Sequence, residues 1–414
     1  MLRGGKISRR RIDKRGILQT FIASTIVSPR TGRSPVLTQT LHFDEEHHDD
    51  IIYPNAIGFI FVHLACLGIL WSGVTLTSVL LCVGLYFGRM FTITAGFHRY
   101  FSHRTFKTSR VFQFILAFLA QTSLQQGVLW WSAKHRHHHK FSDTPEDVHS
   151  PGIHGFLFAH VGWIFARQRG KADYSLVRDL SEYPELVWLD RHNKIPGILL
   201  AVACFLFAGW PGLFVGFFLS TSIHFHGTFA INSLAHTFGK QRYLTGDQSR
   251  NSFLLALITM GEGWHNNHHY YQASTRQGWR WWEIDPTYYL LKLLSWTGLV
   301  WDLRSPPEDV LEGERRLSRK AIEKVAYQIA STFSADRIAE QARATWSHVP
   351  SIEDIRAGVA DMHLPSFPSM DELKRRAESM AMRTPSLDEI VARAREILME
   401  AVTLRLLEPV PAIA

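Results

Sequence analysis

Apolar residues gather into two long stretches without Asp, Glu, Lys or Arg, from 51 to 88 and from 195 to 239. At roughly 20 residues per crossing, each is long enough for a membrane hairpin. The first breaks at Trp71, Ser72 and Gly73, which predicts helices over 56–71 and 74–97. The second breaks at Gly209, Trp210, Pro211 and Gly212, which predicts helices over 195–209 and 212–232. Both turns are uncharged, so every charge-rich segment falls on one side of the bilayer, and its lysines and arginines mark that side as cytoplasmic. Arg89 sits inside the second predicted helix and must reach the interface or face protein. Between the hairpins, 111–131 is apolar but carries Gln121, Gln125 and Gln126, the pattern of a helix lying on the membrane surface or against a cytosolic domain. The pattern predicts an all-α membrane protein with four transmembrane helices in two hairpins and a cytosolic helical cap.

Composition sharpens this. The three cysteines, Cys66, Cys82 and Cys204, all lie within the apolar stretches, which excludes a disulfide framework, a Cys-ligated zinc site and an intrinsic iron–sulfur cluster. The chain of 414 residues carries a net charge of +8. Part of that excess lies in residues 1–45, read as a basic, disordered arm near anionic lipid. The segment Asp44–Asp50 is a solvated acidic patch. Beyond 306 the composition becomes amphipathic, and a Pro-Ser-x-Asp/Glu unit recurs at Pro350, Pro368 and Pro385. In each, Ser is a predicted helix N-cap with an acid three residues on, so 306–414 is expected to be a string of short cytosolic helices.

Twenty-two histidines remain, and they are clustered. His98 and His103 follow the first hairpin; His135, His137, His138 and His139 follow the amphipathic segment; Asn232 and His236 close the second hairpin; His265, His268 and His269 come about thirty residues later. At about 100° per residue, positions 0, 3 and 4 share a helix face, so His135, His138 and His139 converge, as do His265, His268 and His269. His98 and His103, five apart, would point about 140° away from one another on a regular α-helix. Either the helix ends between them or they serve different ions. Imidazole suits iron, zinc and copper, and nine histidines exceed the six that octahedral coordination uses, so two metals sharing the set is the natural count. His137 is expected to face outward, and among the remaining histidines His160 and His226 stand nearest to joining. A carboxylate-bridged alternative would use Glu-x-x-His on two helices plus two further Glu; Glu146 to His149 fits that spacing, but the histidine clusters are the stronger pattern. Carboxylates are therefore expected to orient imidazoles from outside, with Glu262 the best placed.

The motifs HRYFSH (98–103), HRHHHKFSDTPEDVH (135–149), HVGW (160–163), NSLAH (232–236) and GEGWHNNHH (261–269) resemble the integral-membrane acyl-CoA Δ9 desaturases of the stearoyl-CoA type. The resemblance spans roughly 50–305, the expected membrane domain, and leaves 1–45 and 306–414 outside. It implies a di-iron centre held by His98, His103, His135, His138, His139, His236, His265, His268 and His269, with Asn232 touching one iron through water. It also implies insertion of a cis double bond into a saturated acyl chain with O2 and two electrons. Tyr86 would be the floor of the acyl tunnel, with Gln126 and Trp131 lining it. Hydroxylation on the same platform is the alternative; a metal transporter would carry its histidines within the spans. No haem-binding His-Pro-Gly-Gly or dinucleotide fingerprint is present, so electrons are expected from a separate ferredoxin, or from a cytochrome b5-like carrier with its reductase. The other expected partners are a fatty acyl-CoA or acyl-lipid substrate and the lipid bilayer, in a bacterial inner membrane; nucleic acid is not among them.

Overall fold

A computed structural model describes residues 53–166, 172–345, 366–380 and 384–407. The basic arm, the acidic patch and the repeat at Pro350 lie outside these residues. Helix α1 (Tyr53–Ala65) runs on through Cys66–Gly68 and Ile69–Ser72. Gly73, at φ +72°, turns the chain with no Cβ to clash. Thr75 then caps α2 (Leu76–Thr92) in a reciprocal exchange with Ser78. The second hairpin runs from α5 (Ile195–Pro211) through Gly212–Leu219 into α6 (Ser220–Ser233), and Gly209, at φ +61°, breaks it at the uncharged turn. Two helical runs, Leu76–Ser102 and Ile195–Ser233, are long and apolar enough to cross a membrane, and Ala56–Ser72 is a shorter apolar one. Much of this surface is bare: Leu70, Leu206 and Phe207 are strongly exposed, as they would be toward lipid.

Arg89 faces protein. Its guanidinium donates to Thr221 Oγ1 at 2.7 Å and Ser220 Oγ at 2.5 Å on the opposite hairpin, and to Leu85 O at 3.0 Å, which satisfies a cation the apolar stretch could not otherwise hold.

The amphipathic segment is not the single helix expected. It forms α3 (Arg110–Gln121) and α4 (Val128–Phe141), separated by a bend in which Leu124 and Gln126 take positive φ. Gln121 stabilises the bend, its amide donating to Leu189 O and its carbonyl accepting from Val128 N. Asp190 accepts from Leu129 N and Trp130 N at the open end of α4, where helix N–H groups lack partners. A two-residue antiparallel pair, β1 (Lys107–Thr108) with β2 (Val300–Trp301), ties the start of α3 to the far end of this region.

After His265–Tyr270 (α7), the chain ends in α8 (Arg319–Ala330), α9 (Ala335–Thr345), α10 (Met370–Met380) and α11 (Leu387–Leu407). They share one apolar core, including Val325, Ile329, Ala342, Leu373, Ile390 and Leu398, which Leu244 of the preceding region also joins. Ser369 caps α10 as the repeat predicts, accepting from Glu372 N. Ser386 does not cap α11 in that way: its hydroxyl accepts instead from Leu317 N at 2.9 Å, pinning the segment that leads into α8. Because Leu398 is buried at the centre of this core, Leu398→Ala is expected to destabilise the tail by roughly 2–5 kcal/mol. Faster amide exchange across α8 to α11 measures it.

Candidate metal centre

The histidine clusters come together at the base of the two hairpins. His98, His103, His135, His139 and His268 form one group and His138, His236, His265 and His269 a second, with the ligand-capable atoms in each group within 4.8 Å of one another.

The joining of His98 and His103 has a specific cause. Beyond Thr92 the chain winds as a π-helix over Ile93–Ser102, its wider turn closed by i→i+5 bonds such as His103 N to His98 O at 3.2 Å. Residues five apart then share a face, and the two imidazole rings stand 5.0 Å apart. The helix closes at Ser102, with His103 as its C-cap, and the two histidines belong to one group and do not serve different ions. In α4, His135, His138 and His139 do share a face, but His138 faces the second group. In α7 the intervening asparagines fix the helix. Asn266 Oδ1 accepts from Arg242 N and Tyr243 N, and Asn267 donates to Gln277 O and Glu283. Gly263, just before α7, is pressed against the backbone of Ser252 and Ala256 and leaves no room for a side chain.

Within each group the Nε2 atoms converge. His98 and His268 approach to 2.9 Å, His103 and His135 to 2.8 Å, His135 and His139 to 3.0 Å, and His236 and His265 to 3.1 Å. Carboxylates occupy the outward Nδ1 positions of four of the imidazoles. Glu262 takes His98 at 2.5 Å, Asp147 takes His138 at 3.0 Å, Asp143 takes His236 at 2.8 Å and Asp247 takes His269 at 2.9 Å. A neutral imidazole that donates from Nδ1 has a bare lone pair at Nε2. Inward lone pairs facing one another are unfavourable unless a cation lies between them, and the His269 Nε2 atom is buried with no hydrogen-bond partner. The donor set is all imidazole nitrogen, which fits iron, zinc or copper.

Burial pushes the basicity of His103, His135, His139, His265 and His268 well below the ordinary histidine value, and that of His138 down to about 4 despite Asp147. His236 moves the other way: burial opposes its charged form, but the Asp143 carboxylate overrides this and raises it. Burial likewise opposes ionisation of Asp143, yet His236 holds it down at about 2.

Glu262 orients an imidazole from outside, though it is His98 and not the neighbouring His265. It also joins Arg99, fully buried, which lies 3.3 Å from Glu262 and 3.0 Å from Asp285. Removing one partner from such a buried network costs about 3–5 kcal/mol. Asp143 and Asp147 lie in the motif after the second cluster, and Arg99 lies in the motif of the first, though with no role assigned to it; Asp247 sits in a loop with no motif. Glu146 is turned away, accepting from Thr144 Oγ1. His149 pairs with Asp147 at 3.0 Å beside the second group. His160 and His226 do not reach either group. They form a separate run with His63: His160 Nε2 lies 3.1 Å from His226 Nδ1, and His226 Nε2 lies 3.2 Å from His63 Nε2.

Beside the histidines lies a cavity of about 730 Å³. Lys134 of α4 lines it, as do Asn193 and Lys194 at the start of α5, and Phe205, Trp210, Leu213 and Phe217 line it toward the hairpin turn. Along α5, Lys194 to Phe205 spans about 16 Å. His135 and His138 form part of its wall, as do Gln126, Trp131 and Asn232. Trp131 stacks on His135 with centroids 5.0 Å apart and planes at 18°. Tyr86 is not among the lining residues of this cavity. Phe225, Thr228, Phe229 and Asn232 present one face of α6 to the cavity. Tyr86 packs on another face, at Gly227, with its hydroxyl donating to Ile258 O at 2.8 Å.

A family model described as fatty acid desaturase matches residues 55–301. An acyl-CoA 5-desaturase of Anemone leveillei is 37% identical over 268 residues, 63% of this chain and 81% of that protein. An sn-1 stearoyl-lipid 9-desaturase of Synechocystis sp. is 39% identical over 220 residues, 53% of this chain and 69% of that protein. A hex-5-enoyl-[acyl-carrier protein] acetylenase of Moorena producens is 35% identical over 299 residues, 67% of this chain and 90% of that protein.

Because the folded protein keeps most of these imidazoles unprotonated where an unfolded chain would protonate them, unfolding takes up protons as pH falls. The metal-free protein is therefore expected to lose stability from about pH 6.5 downward, with Asp143 adding to the loss below about pH 4. His236, of opposite sign, offsets a small part. A melting-temperature series from pH 7.5 to 4 checks this; a flat profile contradicts it.

Proposed function

The chain belongs to the fatty acid desaturase family, and on that premise we propose that it inserts a cis double bond at the Δ9 position of a saturated acyl chain. The balance is one chain, O2, two electrons and two protons giving one monoene and two waters. The observation that carries the reading is the pair of inward-facing imidazole groups walled by the cavity. His98, His103, His135, His139 and His268 would hold one iron and His138, His236, His265 and His269 the other, with Asn232 reaching the second through water. Iron bound there supplies the oxidant that an unactivated methylene requires, since no acid or base can draw off its hydrogen.

The chain's own residues do the rest. The carboxylates fix His98, His138, His236 and His269 in the Nδ1–H tautomer. The apolar part of the cavity excludes water and holds the chain extended, so that one C–C bond lies beside His135 and His138. Lys134 and Lys194 sit where an anionic head group would be held at the cytoplasmic face. The four helical arms cross the membrane once each, as two hairpins, with both chain ends and the site in the cytoplasm. Electrons come from a separate carrier protein. Δ9 is supported by the sequence motifs and by the 39% identity to a stearoyl-lipid 9-desaturase.

Fatty-acid methyl esters from membranes making the wild-type chain, with reductase and carrier supplied, should contain a new Δ9 cis-monoene that disappears with His268→Ala. A hydroxylated chain, or the same profile in both, overturns the reading. Filling the cavity with Ala201→Trp should shift the product toward shorter chains by about tenfold for each methylene excluded.

A further inference from the structure

Helices α8 to α11 lie outside the segment matched by the family model, yet one of them reaches the metal-facing histidines. Asp247 Oδ2 accepts from His269 Nδ1 at 2.9 Å and from Lys324 Nζ of α8 at 3.3 Å. Asp247 Oδ1 is already saturated by its own loop, accepting from Thr245 Oγ1 at 2.7 Å, Ser249 Oγ at 2.6 Å and Ser249 N at 3.2 Å. The Asp247 backbone carbonyl accepts from Gln241 and from Gln328, one turn beyond Lys324. Gly246, at φ +76°, lies so close that a Cβ there would stand 2.7 Å from Lys324 Cγ.

The loop thus fixes the carboxylate without help. What Lys324 adds is a positive charge on the one oxygen that His269 uses, on a carboxylate only 3% exposed. We propose that Lys324 sets the donor strength of His269 through Asp247, making the tail helix a tuning element for the metal centre. A cation at Oδ2 draws charge from the carboxylate and weakens its pull on the His269 N–H, leaving Nε2 a poorer donor. The proposal rests on the reading of His269 as a metal ligand. Lys324 is a positioning residue in this scheme, since it acts only through Asp247.

The sign separates this role from simple propping. Without the lysine charge, Asp247 pulls harder on His269 and the site becomes more negative, so metal is held more tightly and the oxidised state is favoured. The test uses the full-length, iron-loaded protein in detergent, following iron loss to a chelator and the midpoint potential. Lys324→Met, with Lys324→Gln beside it should the first not accumulate, is expected to lose iron about three- to tenfold more slowly and to shift the potential downward. Lys324→Arg should match the wild type, as should Lys320→Met, which removes an exposed charge from the same helix. In an Asp247→Asn background Lys324→Met should have no further effect. Faster iron loss at an unchanged potential would make Lys324 a mere prop and overturn the proposal, as would no change at all. His269→Ala separates the two claims: full iron content in that variant defeats the ligand reading, whereas iron lost there with Lys324→Met silent defeats only the tuning role.

Discussion

A buried imidazole that must present a bare nitrogen inward needs the proton on its other nitrogen held from outside. Much of this structure answers that requirement. Glu262, Asp147, Asp143 and Asp247 each take the Nδ1–H of one ligand imidazole and come from three segments of the chain, Asp143 and Asp147 sharing one. Anions thus ring the outside while lone pairs line the inside, an arrangement that a multiply charged cation completes. The anions then need their own neighbours. Arg99 serves Glu262 and Asp285 together, and Lys324 serves Asp247.

The backbone is shaped to the same end. The π-helical turn over Ile93–Ser102 brings His98 and His103 to one side, at a place where a regular helix would have parted them. The asparagines of α7 spend their side chains on the surrounding loops, so that His265, His268 and His269 are left to face inward. The bend between α3 and α4 carries Gln126 to the wall of a cavity that the second histidine cluster also lines. Site and cavity share one wall, which is what selecting one bond in a featureless chain demands.

Much of this was legible in the sequence because it depends on short periodicities. The charge-free stretches marked the apolar helices and their central glycines the breaks at Gly73 and Gly209, and the 0, 3, 4 spacing marked the faces of α4 and α7. Where reasoning from a 3.6-residue turn failed, at His98 and His103, the backbone leaves that geometry. Asp247 and Lys324 were invisible because their contacts join residues far apart in the chain, in a loop and a helix that carry no motif; Arg99 sits inside a motif, but its partners Glu262 and Asp285 are equally distant in the chain. The placement of Tyr86 is of the same kind: helix period gives its distance along the helix, but the face on which it lies is set by its contact with Gly227 of the opposing hairpin.

The central claim is that two all-nitrogen pockets hold two irons. X-ray absorption at the iron edge of the purified protein, with metal analysis on the same sample, tests it most directly. The account predicts two irons per chain with first coordination shells dominated by imidazole nitrogen. A single iron, or shells dominated by carboxylate oxygen, would contradict it.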